Sequence, residues 1–321
     1  MTKSKAALRF KKSLAYHIIR ALRPRQWLKN LSIFAGPFFW GNLLDGEVLL
    51  ACIKAFFVFV MASSATYLIN DVVDAENDRN HPIKKNRPIA NRDIPEWFAL
   101  TLAFLLMTGS LVFSLENFSR FFVLTVISYF ALQITYSLYL RNVIIIDALT
   151  VASGFVLRVF AGTFASKVPI SSWLVLAVIG LSLLLAFGKR RAERTILASQ
   201  NIPLETRDTL KHYPDNLLDS MISMSATFAI VSYSLFAFQT NQTLTSSTLV
   251  KNLPITLSSP KLLMLTIPIV IYGVARYLYV IYEKNEAESP ERVFLSDAPL
   301  LNSIGIWVLL LFILIYGLQG S

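Results

Sequence analysis

Cysteine is all but missing from this chain. Cys52 stands alone among 321 residues, so no intrachain disulfide can form and no thiolate cage for a metal is available. Charged residues make up only 16%, against about 25% in soluble domains. The first thirty residues contain no Asp or Glu at all. They carry many basic groups, yet they lack the apolar run and small-residue cleavage site of a secretory signal. Low-complexity linkers and long polar stretches are absent too, which leaves no sign of a separate soluble domain. What is present is apolar: 55% of residues are hydrophobic and the mean hydropathy is +0.55. The formal charge of +10 does not point to nucleic acid, because the Lys and Arg residues sit in short loops between apolar segments.

Those segments have the length of membrane spans, about 20 residues each. Eight are clear: Leu49–Ile69, Trp97–Leu115, Phe121–Leu140, Val143–Ala165, Ile170–Phe187, Leu217–Phe238, Leu262–Tyr282 and Leu300–Leu318. A ninth, Leu31–Gly41, is short and holds Pro37, so it spans only by extending back through Trp27 or by tilting. Charge favours nine. With nine spans the basic N-terminus, the Asp71–Pro95 loop, Arg141, the Lys189–Asp215 loop and the Glu283–Asp297 loop share one face, while the other receives only Arg120, Lys167, Lys251 and Lys261. Basic loops mark the cytoplasmic side. The expectation is an all-α bundle of nine transmembrane helices in the cell (inner) membrane, N-terminus cytoplasmic and C-terminus outside. Ahead of it, Leu8, Ala15, Ile18, Ile19 and Leu22 recur at helical spacing among Lys5, Lys11, Lys12 and Arg20, as in a helix lying among headgroups. Residues 1–30 are therefore read as a basic amphipathic segment and 31–321 as one integral domain.

Chemistry concentrates after the second span. If that helix runs on past Ile69, Asn70, Asp74 and Asp78 stand four residues apart on one face with Asp71 adjacent. Like charges so placed repel, and a divalent cation relieves the repulsion. Mg²⁺ takes oxygen ligands from one or two carboxylates and fills its shell with water and phosphate. Next comes a cationic loop, His81-Pro82-Ile83-Lys84-Lys85-Asn86-Arg87-Pro88, whose prolines limit its conformations. His81 is read as a loop hydrogen-bonder rather than a ligand. Acids beside cations suit a metal-bound diphosphate, since the cations neutralise the charge that the metal leaves and stabilise the departing group.

The pattern Asn-Asp-x-x-Asp-x-x-x-Asp at Asn70–Asp78, followed by Lys-x-x-Arg-Pro-Ile at 84–89, resembles the UbiA superfamily of intramembrane prenyltransferases. The resemblance implies two acidic motifs, at the cytoplasmic ends of helices two and six, around Mg²⁺ and a prenyl diphosphate. Here the second motif departs. Phe187-Gly188-Lys189-Arg190-Arg191-Ala192-Glu193 places Lys189 and Glu193 where two acids are expected. Weaker metal coordination and stronger attraction for further phosphate follow.

That substitution is similar to the decaprenyl-phosphate phosphoribosyltransferase branch. So are Leu22–Asn30, Asp78–Pro82, Val151–Arg158 and Pro290–Asp297, which extends the resemblance over nearly the whole chain. The branch implies phosphoribosyl diphosphate as donor, a polyprenyl phosphate lipid as acceptor and a polyprenyl-phosphate pentose, an arabinose precursor, as product. Carried over by position, Asn70, Asp74 and Asp78 would hold Mg²⁺, with Asp71 nearby and Glu193 completing the shell. Lys29, Arg79, Lys85, Arg87, Lys189 and Arg190 would contact phosphates. Tyr136 and Arg141, at the end of the fourth span, match a Tyr and a base that relatives place near the diphosphate. Asp74, Asp78 and Lys189 are the expected catalytic set.

Asp147 and Arg158 lie inside the fifth span, where charge is costly, so both should face the interior, another helix or substrate, and Arg158 is expected among the substrate-binding residues. They should not pair with each other, since eleven residues separate them by about 16 Å along a helix. Two other readings stay open: a prenyl diphosphate donor with an aromatic or other acceptor, and a lipid transporter or flippase. Lys189 argues against the first. The one-sided acids and lack of an inverted repeat argue against the second. A homo-oligomer is compatible with the branch.

Overall fold

Backbone in hydrocarbon must satisfy its own N–H and C=O groups. In a computed structural model the described residues, 14–80, 84–199, 213–240, 261–284 and 290–317, do so with helices and no strand. Helix α1 (Leu14–Ala21) leads to a 3₁₀ segment (Pro24–Phe34) continuous with α2 (Ala35–Trp40). Then follow α3 (Gly46–Val73), α4 (Ala75–Arg79), α5 (Glu96–Asn117), α6 (Arg120–Leu138), α7 (Ile146–Ser166), α8 (Ser172–Ser199) and α9 (Asp215–Gln239). The last elements are α10 (Ile267–Tyr279), α11 (Pro290–Ser296) and α12 (Ala298–Phe312), with a 3₁₀ turn before α10 and π turns after α10 and α12.

Among the described residues, eight helical stretches are long and apolar enough to cross a membrane, at the eight places that the hydropathy pattern marks. The short ninth candidate extends back through Trp27, as the sequence requires. Its eleven 3₁₀ residues and six α residues together rise about 30 Å, the thickness of the hydrocarbon core. Gly41, at φ 87°, ends it. The division expected after residue 30 falls inside this segment, and Ile18, Ala21 and Leu22 already pack in the main core. Residues 1–13, with Lys5, Leu8, Lys11 and Lys12, and also His81, lie outside the described residues.

Helix starts are set by local chemistry. The Asp45 carboxylate accepts from the N–H groups of Glu47 (2.9 Å) and Val48 (3.2 Å), and Ser119 caps α6 by accepting from Phe122 N–H. Small residues set the crossings. A Cβ at Gly162 would lie 1.8 Å from the Ile33 carbonyl oxygen, so only glycine lets the first segment lie against α7. At Gly180 a Cβ would meet the Ala229 backbone nitrogen at 2.6 Å, which fixes the close crossing of α8 and α9.

Packing forms three apolar clusters, one of them joining α2 to α8, α9 and α12, and the other two sharing α7. Of those two, one joins the first segment to α3, α5, α6 and the far half of α7 through Ala161 and Ala165. The other joins the first half of α7, through Ala148 and Ala152, to α8, α9 and α10. Phe57, Phe104, Leu105, Phe121, Leu124 and Leu309 are exposed on the outside, where the solvent of such a surface is lipid.

Candidate active site

The polar side chains gather where α3, α6 and α8 end and α7 begins. Helix α3 stops at Val73, and Asp74 (φ −88°, ψ −4°) leads into α4. Backbone bonds from Asp74 N–H to Asn70 C=O (2.9 Å) and from Asp78 N–H to Asp74 C=O (2.8 Å) carry the helical register through the kink. Asn70, Asp74 and Asp78 consequently share a face, as their spacing predicts.

Each acid there is met by an arginine. Asn70 Nδ2 donates to Asp74 Oδ2 at 3.1 Å, and Arg141 donates to Asp74 Oδ1. Arg87 donates to Asp78 Oδ2 at 2.6 Å and to Asp71 Oδ1 at 3.1 Å, while Arg23 donates to the same Asp71 oxygen. Burial pushes the Asp78 carboxyl above the usual range, with the Arg87 and Lys84 charges pulling the other way. Asp71, expected near the metal ligands, bridges two guanidinium groups; its side chain is 2% exposed and that of Asp78 5%, against 19% for Asp74.

The other cations of this corner separate into two groups. Arg141 and Arg87 stand on the acids. Arg79 turns away to Glu96 (2.8 Å) and the Ala90 carbonyl (3.4 Å), tying the loop to α5 rather than facing a phosphate. Lys85 is exposed and Lys29 half-buried on the 3₁₀ segment.

At the end of α8 the second motif forms a clasp. Arg190 is buried, with 4% of its side chain exposed; Nε donates to Asp147 at 2.7 Å, one terminal nitrogen to Glu193 at 2.8 Å and the other to Tyr136 at 3.4 Å. Tyr213 donates to Asp147 Oδ1 at 2.6 Å and accepts from Ile145 N–H at 2.7 Å. Burial and the neighbouring Asp147 carboxylate push the Tyr213 phenol upward, so it keeps its proton. Two expected site residues take part in this clasp. Arg190 is an internal tie between α6, α7 and α8 and does not face open space, because packing spends its donors on Asp147 and Glu193. Glu193, expected to complete a metal shell, is taken by Arg190 and lies 3.9 Å from Lys189. Lys189 itself is 42% exposed. Helix α6 and the 3₁₀ turn after it (Leu140–Asn142) link the two corners, since Tyr136 touches Arg190 and Arg141 touches Asp74.

Asp147 and Arg158 do not pair, in line with their separation. Arg158 lies deeper, donating from Nε to Asn30 Oδ1 (2.7 Å), and from its terminal nitrogens to the Gly154 carbonyl (2.7 Å) and the Tyr129 hydroxyl (3.0 Å).

Mg²⁺ fits these residues on one condition. Asp74 beside Asn70, with Asp78 one turn on, supplies hard oxygen donors, but among the described residues no three His, Cys, Asp or Glu side chains converge to hold an ion unaided. They suit an ion shared with phosphate oxygens, the usual habit of Mg²⁺.

Three participants were given no role by the sequence, although Arg23 and Asn30 lie in the stretch Leu22–Asn30 that carries part of the resemblance. Arg23 holds a left-handed backbone (φ 54°) that costs about 1 kcal/mol for a non-glycine residue, with its guanidinium 5.1 Å from the Tyr67 ring centre. A charge placed before Pro24 at a helix start is its further sequence trace. Asn30 shows otherwise only as a polar residue at the edge of an apolar run. Tyr213 gives no signal in the sequence.

The sequence profile of the UbiA prenyltransferase family matches residues 31–193. A decaprenyl-phosphate phosphoribosyltransferase from Mycolicibacterium smegmatis is 38% identical over 231 residues, 71% of this chain and 72% of that one. Its counterpart from Corynebacterium glutamicum is 32% identical over 308 residues, 95% of this chain and 88% of that one. Among solved structures, a UbiA homolog from Archaeoglobus fulgidus bound to GPP and Mg²⁺ superposes with a TM-score of 0.67 at 16% identity, covering 93% of this chain and 99% of that one. That likeness shows the shared fold.

Proposed function

The chain belongs to the UbiA prenyltransferase family, and we propose that within it the protein transfers 5-phosphoribose from phosphoribosyl diphosphate to a polyprenyl phosphate. The bond from ribose C1 to the diphosphate oxygen breaks, a bond from C1 to a lipid phosphate oxygen forms, and diphosphate leaves. The observation that carries this reading is the cationic second corner. Where a prenyl diphosphate donor would be served by two acids, Lys189 stands 42% exposed and 3.9 Å from Glu193, which also pairs with Arg190. A donor with an additional 5-phosphate and an acceptor that is itself a phosphate ask for cations in that place. The similarity to two decaprenyl-phosphate phosphoribosyltransferases supports the same assignment.

Asn70, Asp74 and Asp78 would hold Mg²⁺, which when bound neutralises the diphosphate and polarises the C1–O bond. Arg87 and Arg141 stand within reach of the same oxygens and take up charge on the leaving diphosphate. Lys189 binds phosphate at the second corner. The acceptor monoester is already anionic at neutral pH, so no strong base is required, and catalysis rests on positioning and leaving-group stabilisation. The acid corner faces the cytoplasm and the C-terminus lies outside, as the distribution of basic loops supports.

The test is direct. Membranes containing the protein, given labelled phosphoribosyl diphosphate and a polyprenyl phosphate, should place label in the lipid extract, and chelation of divalent metal should stop it. Robust transfer after chelation removes the metal assignment. Use of a prenyl diphosphate as donor by the wild-type protein removes the named substrate.

A further inference from the structure

Among the described residues, the fully buried carboxylates and guanidinium groups are Asp71, Asp78, Asp147, Arg158, Arg190 and Asp297. Five of them have an oppositely charged partner. Arg158 has none. Its partners are an amide oxygen, a backbone carbonyl and a phenol, and its guanidinium stacks 4.8 Å from the Tyr129 ring centre and 5.7 Å from that of Phe155. An unneutralised cation inside a span costs several kcal/mol by roughly any insertion scale, and an apolar side chain would fill the same volume without that cost.

The acceptors around it are all neutral, so its hydrogen bonds leave the charge uncancelled. A Cβ at Gly154 would lie 3.3 Å from Gln133 Nε2 and 3.4 Å from an Arg158 terminal nitrogen, so the missing side chain lets amide and guanidinium lie side by side over the α7 backbone. Gln133 is half-buried, and its side chain makes no hydrogen bond among the described residues. The place is in line with the site above. Asp147, Gly154 and Arg158 follow one face of α7, and Tyr129, Gln133 and Tyr136 follow one face of α6. The guanidinium, bonded to the Gly154 carbonyl, lies about 10 Å deeper than Asp147.

We propose that Arg158, with Gln133, forms a second anion subsite that receives a phosphate monoester beneath the diphosphate corner. The inference rests on the transfer reaction proposed above and names the group that this part of the site takes. Two sources carry that chemistry: the 5-phosphate of the donor, which the pentose ring holds away from the diphosphate, and the phosphate of the lipid acceptor. Arg158 is a substrate-binding group here, and Tyr129 and Asn30 position it.

The experiment compares wild type with Arg158→Gln, Arg158→Lys and Gln133→Leu in matched detergent. Thermal protection by ribose 5-phosphate and by a short-chain polyprenyl monophosphate is read separately from transfer kinetics, and Mg²⁺ with inorganic diphosphate serves as the control for the upper site. Arg158→Gln should keep its protection by Mg²⁺ and diphosphate, while protection by one of the monoesters falls and the KM of the matching substrate rises about 10–100-fold. Arg158→Lys should recover part of that loss, and Gln133→Leu should shift the same constant several-fold. A rise for the donor, absent when ribose 1-diphosphate replaces it, identifies the 5-phosphate; a rise for the lipid identifies the acceptor. Folded Arg158→Gln with unchanged affinity for both monoesters overturns the proposal. If Arg158→Gln does not fold, unchanged constants in Gln133→Leu overturn it. Monoester protection that depends on Arg158 in a protein without transfer activity would leave the subsite standing and remove only the named reaction.

Discussion

Arg190 and Arg158 are rungs of one ladder. Tyr136 and Asp147 meet Arg190; Tyr129 and Gly154, each seven residues along from these on the same helices α6 and α7, meet Arg158. Both guanidinium groups are buried to a similar degree, 3% and 4% exposed. Each donates to a tyrosine hydroxyl, and the remaining partners differ, with carboxylates above and neutral groups below. A buried ion pair whose hydrogen bonds are all made is a lock, because neither member has anything further to gain from a ligand. A buried ion held only by dipoles retains attraction for an anion. Burial alone therefore does not distinguish a structural arginine from a binding one; the charge of its partners does.

The largest effect expected belongs to the acid corner that both rungs support. Asp74→Asn and Asp78→Asn should each lower turnover by about 10²–10³-fold, the scale of losing a group that stabilises developing charge. Asp74→Asn should keep the wild-type melting temperature, because its carboxylate is partly exposed, whereas Asp78→Asn should lower it. Initial rates of lipid labelling, with melting curves alongside, measure both. Retained turnover in either variant would remove these acids from the chemistry.

Breaking the upper rung comes next. Asp147→Asn leaves Arg190 with Glu193 alone and weakens the Tyr213 contact, and loss of one member of a buried pair costs about 3–5 kcal/mol. A marked fall in thermal stability is expected from this change and a smaller one from Arg158→Met, which removes an unpaired charge. Equal melting temperatures for the two variants would erase the difference between the rungs.

Lys189 tests the exposed cation beside the buried one. Lys189→Ala should raise the KM for phosphoribosyl diphosphate by about 10–100-fold, the 1.5–3 kcal/mol of a charge-assisted hydrogen bond. Lys189→Asp should be worse, since it sets like charge against phosphate even though it restores an acidic motif. Initial rates against donor concentration decide it, and unchanged kinetics in Lys189→Asp would withdraw the phosphate role.

The smallest effect lies far from both rungs. Asp297 accepts from Arg276 through two bonds of 2.9 Å, from Lys284 at 2.8 Å and from Leu300 N–H at 3.0 Å. The hydrogen bonds from Arg276 lead the causes that hold its carboxyl below the usual range, with burial opposing them. A depressed folded-state value means that this contribution to stability is fully present above the unfolded value of about 3.9 and is lost as pH falls through the folded one. The melting difference between wild type and Asp297→Asn should therefore stay level from neutral pH down to about pH 5 and narrow only below about pH 4. Narrowing already between neutrality and pH 5 would contradict the clamp.

What the amino-acid sequence determined by itself was everything that is local along the chain. An apolar run long enough to cross a bilayer is a one-dimensional property, so eight spans fall where hydropathy places them. Spacing of four residues is a helical property, so Asn70, Asp74 and Asp78 share a face despite the kink. Lys189 in an acidic position was readable only through the resemblance to the UbiA superfamily. Only the tertiary structure decided which charges cancel. Arg23 reaches Asp71 across 48 positions, Arg141 reaches Asp74 across 67 and Arg190 reaches Asp147 across 43. No periodicity encodes such pairings, because they depend on how helices cross, and the crossings depend on contacts such as Gly162 against the Ile33 carbonyl. Asp71 and Arg190 read as site residues from their neighbours in sequence and became internal ties through their neighbours in space. Arg158 kept its charge uncancelled, since in a low-dielectric interior the partners that packing supplies determine whether a charge holds the fold together or remains available to a ligand.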